Sequence, residues 1–220
     1  MSKFQKLLYS GAAYDAMRLL GFTANDFYIN IKPMAGYTKT NFCLCGFAFT
    51  TVGNIIGTDN YEEADKIRLK IYEKSLKNSI VMLQANDNTV AHSGDITSLI
   101  YQSLGAKGFI TDGNVRDLDI IDKLKFPTFC KDSNPIDAID YWALTNFDVP
   151  IYIDNVKINP GDFIVASMDG VIVVPFVKYN EFEKKATEVL EKEINVRNAV
   201  LDSTNLSKTI NDIFNKEGRW

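Results

Sequence analysis

The sequence predicts a single α/β domain with mixed sheets and a helical C-terminal segment, and three observations carry that expectation. Apolar residues recur at helical spacing in four separate stretches, and β-type runs lie between them. The runs are also joined in two ways. Near the C-terminus tight-turn dipeptides predict antiparallel hairpins, whereas in the middle a strand–helix–strand order requires parallel pairing.

In chain order, helical periodicity places the first helix within residues 4–20. A strand follows at Asn41–Val52, in which Cys43 and Cys45 alternate and therefore share one face. Ala64, Ile67 and Ile71 predict a helix over 61–77, ahead of a strand at Ser79–Gln84. Ile96, Leu99, Ile100 and Leu104 then mark a helix over 96–104 that leads into a strand at Gly108–Thr111, completing the crossover. After a strand at Pro127–Cys130 come two hairpins. Ile151–Ile153 pairs with Val156–Ile158 through Asp154-Asn155, and Phe163–Ala166 pairs with Val171–Val174 across Asp169-Gly170. Ala186, Leu190, Ile194 and Leu201 predict a helix over 182–201. Leu206, Ile210, Ile213 and Phe214 continue the helical spacing into a tail at 201–220, either a docked helix or an arm reaching a neighbouring subunit.

Composition narrows the function classes. With 220 residues, 46% of them hydrophobic, the chain has enough apolar material for one substantial core, so residues 1–220 are expected to form one domain. The net charge of −4, with both signs mixed along the chain, offers no basic surface for phosphates and argues against direct nucleic-acid binding. No stretch approaches the roughly 18 consecutive apolar residues of a membrane span. The N-terminal helix is interrupted by Lys, Asp and Arg, unlike a signal peptide, so a cytoplasmic protein is expected. Three cysteines, without a second cluster, argue against both a disulfide scaffold and a zinc site and for buried free thiols.

The chemistry concentrates in Ala91-His92-Ser93-Gly94-Asp95-Ile96-Thr97 and in Gly108-Phe-Ile-Thr-Asp-Gly-Asn-Val-Arg116-Asp117. Gly94-Asp95 opens a helix, and Asp112-Gly113-Asn114 forms a tight turn leading to a second helix that starts near Arg116-Asp117. Two helix starts facing one crevice would aim free N–H groups at a carboxylate or enolate. Arg116 suits planar oxygen pairs, and Asp117 is the hard oxygen ligand that Mg²⁺ or Mn²⁺ prefers. Taken without context, the same residues also read as a helix cap and a surface ion pair.

Asp95 is followed by twenty intervening residues and then Arg116-Asp117, which resembles the D-x20-R-D signature of the aldolase branch of the RraA-like family. Gly108–Asp117 is similar to that family's G-x-V-x-D-G-x-x-R-D block, and Pro160-Gly-Asp-Phe-Ile-Val-Ala-Ser-Met-Asp-Gly-Val-Ile-Val-Val-Pro175 is similar to its later block. Weaker likeness at Ile31–Met34 and Gly46–Thr50 extends the resemblance over about residues 10–200. Two departures stand out: Ser167 replaces a common Asp, and Lys77-Asn78-Ser79 replaces Pro-Gly-Asp.

The resemblance implies a swivelling β/β/α fold assembled as a homotrimer or a hexamer of two trimers, with sites between subunits. It implies that Arg116 holds a small 2-oxo acid, that Asp117 anchors Mg²⁺ or Mn²⁺, and that the N–H groups of Gly94, Asp95, Ile96 and Thr97 cradle the substrate carboxylate. Asp95 would orient or deprotonate a water, joined by a glutamate from the adjacent subunit, for which Glu193 is the candidate. The implied activity is a class II aldolase that releases pyruvate from a 4-hydroxy-2-oxo acid by way of a stabilised enolate, with oxaloacetate decarboxylation as a side activity. A Schiff-base route would instead need Lys107 or Lys123, both of which read as solvated helix-end residues. From a different class, some family members regulate ribonuclease E as protein-binding inhibitors. His92 reads as packing or support, Asp112 as a turn-former, and Asp162 and Asp169 as structural turn residues.

Overall fold

The computed structural model describes residues 4, 7–37, 42–56 and 61–217. Helix α1 (Ser10–Leu19) precedes α2 (Ala24–Phe27), which Thr23 and Asp26 close with a capping box. Strands β1 (Tyr28–Ile29), β2 (Lys32–Ala35) and β3 (Cys43–Ile55) follow, then α3 (Tyr61–Tyr72), β4 (Ser79–Gln84) and β5 (Ala91–Ser93). Next come α4 (Asp95–Ser103), β6 (Gly108–Thr111), β7 (Asn114–Val115), α5 (Leu118–Leu124), β8 (Thr128–Cys130), β9 (Asp132–Ser133) and β10 (Trp142–Phe147). The hairpins β11 (Ile151–Ile153) with β12 (Val156–Ile158) and β13 (Phe163–Ser167) with β14 (Gly170–Val174) lead to α6 (Tyr179–Leu201) and α7 (Leu206–Glu217).

The main sheet runs β1–β14–β13–β3–β4–β6–β8–β2, and β10 also pairs with β3. Its mixed character follows from the connections. β4, α4 and β6 form the expected crossover, so β3, β4, β6 and β8 are parallel neighbours, while both C-terminal hairpins are antiparallel. Asp154 and Asn155, at φ 47° and 66°, supply the left-handed turn that closes β11 onto β12. A second, small parallel sheet joins β5, β7 and β9.

Alternation along the strands sorts the core. On β13, Phe163 and Val165 face α1 and α6, where Ala12, Ala13, Ala16, Phe182 and Ala186 are buried. Ile164 and Ala166 face the other way, onto the β11–β12 hairpin. On β4, Ile80 and Met82 join that hairpin side, while Val81 and Leu83 pack with Ile71, Tyr101, Phe109 and Ile121 under α3, α4 and α5. Each such buried aliphatic or aromatic side chain contributes about 1.5–3 kcal/mol. One sheet therefore carries helices on one side and curls around a β-hairpin on the other.

Boundaries differ from the sequence expectations where local hydrogen bonds intervene. The strand expected at Asn41–Val52 runs Cys43–Ile55, with Asn41 outside the described residues, because β10 extends its pairing to Ile55. The helix expected over 61–77 stops at Tyr72. Beyond it the Leu76 N–H donates to the Leu104 carbonyl and Asn78 turns at φ 66°. The first helix is Ser10–Leu19 within the expected 4–20, of which residues 5 and 6 lie outside the described residues, and α6 starts three residues early at Tyr179. The tail helix forms as α7, packed against α6 with Leu206 and Phe214 exposed. Cys43, Cys45 and Cys130 are free thiols, with the Cys43 and Cys45 sulfurs 3.5 Å apart on one strand.

Asp162 and Asp169 occupy turns, as their sequence context predicts. Asp162 is 3% exposed and accepts the Phe176 N–H at 2.9 Å, the Asn159 N–H at 2.7 Å and the Asn159 side-chain amide at 3.2 Å. Replacing it leaves buried donors without partners, so Asp162→Ala should cost about 3 kcal/mol in a urea unfolding experiment.

Candidate active site

Because β4 and β6 run parallel, their C-terminal ends lie side by side, and the chain leaves both in the same direction. From β4 it passes through β5 to Gly94 and α4, and from β6 it turns at Asp112-Gly113 through β7 to Arg116, Asp117 and α5. Pairing of Ala91 with Asn114 and of Ser93 with Val115 zips the two exits together, and the Arg116 N–H donates to the Ser93 carbonyl at 3.0 Å. A ligand crevice at the carboxyl ends of parallel strands is the general outcome of such an arrangement.

Gly94 is the N-cap of α4 and Asp117 the N-cap of α5. Asp117 sits at φ 61°, ψ 33°, a left-handed conformation that Asp tolerates better than most side chains. This turns its carboxylate back toward α4. Its Oδ2 lies 3.4 Å from the Asp95 N–H and 3.4 Å from Arg116 Nε. The approach is close enough that a Cβ on Gly94 would stand 2.6 Å from Asp117 Oδ2 and 3.2 Å from Arg116 Cγ.

Gly94, Asp95, Ile96, Thr97, Arg116 and Asp117 all line one cleft of about 470 Å³. The opposite wall comes from Arg68 and Tyr72 of α3 and from Asp137 to Asp140. These residues were not singled out in the sequence, since Arg68 looks like any exposed helix position and pairs with Asp65 at 3.4 Å. Glu193 is not brought to this cleft within the protomer. It accepts hydrogen bonds from the Tyr9 hydroxyl and from Arg197 Nη2, the latter at 3.1 Å, and lines a separate groove between α1 and α6. Burial and the neighbouring Glu193 carboxylate push the Tyr9 hydroxyl up to about 12, so it remains a donor. Among the described residues no group of three or more His, Cys, Asp and Glu side chains could hold a metal ion. Lys107 corrects its expectation: rather than being solvated, it donates to the Cys45 carbonyl at 3.0 Å, and neither it nor Lys123 lines the cleft.

His92 also borders the cleft, yet its side chain is sealed from solvent, as is that of its partner Asp87. Its Nδ1 accepts the Asn114 N–H at 3.1 Å and its Nε2 is 3.1 Å from Asp87 Oδ2. Asp87 escaped the sequence reading, although Asp87-Asn88-Thr89 has the form of a side-chain-to-backbone turn, which it makes with the Thr89 N–H at 2.9 Å. Burial pushes the Asp87 carboxyl up, yet bonds from Thr89, Val90 and His92 outweigh it and hold it down at about 2. Asp112 lies in the expected turn, but its carboxylate accepts the Ala85 N–H at 2.8 Å and so ties that turn to the end of β4, while the turn's own Gly113 N–H goes to Thr111 Oγ1 at 3.0 Å.

The model of the RraA-like family, described as Aldolase/RraA, matches residues 13–173, a span that holds both halves of this cleft. The chain belongs to the RraA-like family. Within it, a protein of Halalkalibacterium halodurans provisionally named a 4-hydroxy-4-methyl-2-oxoglutarate aldolase is 39% identical over 105 residues, 48% of this chain and 50% of that one. The chain spans about half the length of this relative and of a second curated one. The fold is shared with an uncharacterized Pseudomonas syringae protein (TM-score 0.75, 24% identity, 92% of each chain). It is shared too with Streptomyces coelicolor RraAS2, described as an unusual member of the RNase ES inhibitor RraA protein family (TM-score 0.74, 22% identity, 89% of this chain and 94% of that one). The expected RraA-like α/β fold with mixed sheets and a C-terminal helical segment is thus the observed one.

Two outcomes follow from this geometry. Gly94→Ala leaves no room for its methyl group unless Asp117 Oδ2 or Arg116 moves, so the variant should lose about 1–3 kcal/mol in a urea unfolding experiment while its circular dichroism spectrum is kept. His92 supplies a pH signature. Burial lowers its pKa from the ordinary 6.5, only partly offset by Asp87, so the unfolded chain binds the proton more readily. Its contribution to stability is complete above pH 6.5 and is lost as pH falls below that value, whereas that of Asp87 is lost only between 3.8 and about 2. Urea midpoints should fall on acidification below pH 6.5, and less so in His92→Phe.

Proposed function

We propose that this chain is a divalent-metal-dependent lyase that cleaves a 4-hydroxy-2-oxo acid into pyruvate and a carbonyl compound, with oxaloacetate decarboxylation as a side activity. The observation that supports this most directly is the convergence of the α4 N-terminus, Arg116 and Asp117 on one cleft, with the Asp95 N–H and Arg116 Nε both 3.4 Å from Asp117 Oδ2.

The donor set fits Mg²⁺ or Mn²⁺. Such ions keep several waters and need only one or two protein carboxylates, whereas a catalytic zinc calls for three protein ligands that the cleft does not offer. Asp117 would hold the ion, since its Oδ1 takes no hydrogen bond from the described residues and its side chain is 32% exposed. When bound, the cation makes the 2-oxo group an electron sink. The remaining roles fall to the chain itself. The N–H groups of Gly94 through Thr97, at the start of a nine-residue helix, favour the substrate carboxylate. Arg116 holds the 2-oxo oxygen and its neighbours in fork geometry and stabilises the negative charge that develops there. Asp95 orients a water that takes the proton from the C4 hydroxyl. The C3–C4 bond then breaks, its electrons form the enolate, and a proton returned to C3 completes pyruvate. Loss of CO₂ from oxaloacetate generates the same enolate.

Glu193 fits this scheme as a contribution from an adjacent subunit. A homotrimer or a hexamer is the assembly we assign, supported by apolar side chains left open around the cleft: Ile96 is 64%, Leu99 45% and Ile139 76% exposed. A ribonuclease-regulating interaction module is the rival class, and it has no evident need for Asp95, Arg116 and Asp117 in one cleft.

The test is pyruvate release from 4-hydroxy-4-methyl-2-oxoglutarate and from oxaloacetate, with Mg²⁺ or Mn²⁺ and with EDTA. Turnover is expected only with metal. Arg116→Ala should lower kcat/KM about 100–1000-fold, as for a lost donor at the developing charge, and Asp117→Ala should abolish metal-dependent turnover. No turnover of either compound by the folded, metal-supplied protein would overturn the assignment.

A further inference from the structure

We propose that His92, held as its neutral Nε2–H tautomer by Asp87, is a positioning residue whose Nδ1 accepts the Asn114 N–H and thereby fixes the turn that carries Arg116 and Asp117. The inference rests on the reading of Arg116 and Asp117 as the working pair, and it adds a residue that touches neither substrate nor metal.

The tautomer follows from what each ring nitrogen meets. Asn114 presents a backbone N–H to Nδ1 at 3.1 Å, and an N–H can only donate, so Nδ1 must carry the lone pair. The single ring proton then lies on Nε2, directed at Asp87 Oδ2 at 3.1 Å. Asp87 is itself fixed as an acceptor, because it takes the Thr89 hydroxyl at 2.8 Å, the Val90 N–H at 3.2 Å and the Tyr141 hydroxyl at 3.3 Å. Asp87 and Tyr141 are thus the titratable groups gathered on the Nε2 side of the ring. Laterally the ring is held edge-on to Trp142, with centroids 4.7 Å apart, and Trp142 is anchored by its own bond to the Ala85 carbonyl at 2.7 Å.

The other end of this chain of contacts is the catalytic turn. Asn114 is tied to the same segment through its side chain as well, since its amide donates to the Asn88 carbonyl at 2.7 Å and to the Val90 carbonyl at 3.4 Å. Two residues later comes Arg116, then Asp117 in its left-handed conformation. Gly113 fits against the ring with no room to spare, because a Cβ there would be 2.3 Å from His92 Nδ1. The segment 87–92 therefore acts as a mould for 112–117. Its one side-chain acceptor for the turn's own N–H is Nδ1, and an apolar ring of the same size would leave that buried donor unpaired.

His92 is the only histidine in the chain, so its ring nitrogens can be observed without assignment ambiguity after ¹⁵N-histidine labelling. At neutral pH the full-length protein should show a protonated Nε2 and an unprotonated Nδ1. Protonation at Nδ1 would overturn the proposal. Three variants separate positioning from packing. His92→Phe keeps the volume and loses both bonds. His92→Gln keeps a donor toward Asp87 but no acceptor near Asn114, and His92→Asn places an oxygen where Nδ1 was. Mn²⁺ affinity and kcat are expected to drop about 10–100-fold in Phe and Gln, with the smaller change in KM, and to recover largely in Asn. The Asn114 amide should exchange faster in Phe and Gln only. Wild-type Mn²⁺ affinity in both Phe and Gln overturns the proposal. So does equal loss in Asn and Gln, which is also the decisive comparison if Phe does not fold. Should the wild-type protein bind no Mn²⁺, the proposed function falls, and Asn114 exchange decides the positioning by itself: faster in Gln upholds it, unchanged overturns it.

Discussion

Strand β3 is the constraint on which the rest of the structure depends. Over thirteen residues it pairs antiparallel with β13 through Cys43–Phe47, parallel with β4 through Phe47–Val52, and antiparallel with β10 through Thr51–Ile55. Among the described residues no other strand pairs with both the C-terminal hairpin and the parallel crossover. Its parallel register with β4 fixes where β4 ends, β4 fixes β6, and the two exits that build the cleft inherit their spacing from that chain of pairings. Long-range parallel pairing of this kind repays its loop-closure cost only when the whole sheet assembles, so the site exists only as a property of the complete core.

Legibility in the sequence follows the length and amphipathicity of each element. The crossover 79–111, both C-terminal hairpins and the long C-terminal helix were readable because their apolar periodicity spans several turns or ends in Asp-Asn or Asp-Gly. Strands β5, β7 and β9 were not, being two or three residues long and defined by partners rather than by pattern. Trp142 and Leu144 sit in a strand whose bulge at Thr145 breaks the alternation that would have revealed it. At the site, Gly94–Thr97 and Arg116–Asp117 were visible through spacing and family resemblance, and their convergence was an expectation that the parallel pairing satisfies. Arg68 and the 137–140 segment were invisible, because their place in the cleft is set by tertiary packing of surface residues. Glu193 remains apart from the cleft in the single protomer, tied to Tyr9 and Arg197.

The cleft also separates chemistry from support. Arg116 and Asp117 are partly open to solvent, while the side chains of His92 and Asp87 are closed off. A dry backing holds a wetter front, and the backing leaves no room for a methyl group at Gly113, where a Cβ would meet His92 Nδ1 and the Ala85 Cβ.

Asp117 occupies its left-handed backbone conformation at an energetic disadvantage that glycine would avoid and asparagine would lessen. Drift guided by backbone preference alone would therefore carry position 117 toward those residues, and under the proposed function a demand for a charged oxygen ligand is what keeps it at aspartate. The identity of this one residue thus serves as a gauge across relatives of the same fold. On that reading, aspartate kept at this position would mark selection on the reaction, and glycine or asparagine there would mark a fold kept for some other purpose.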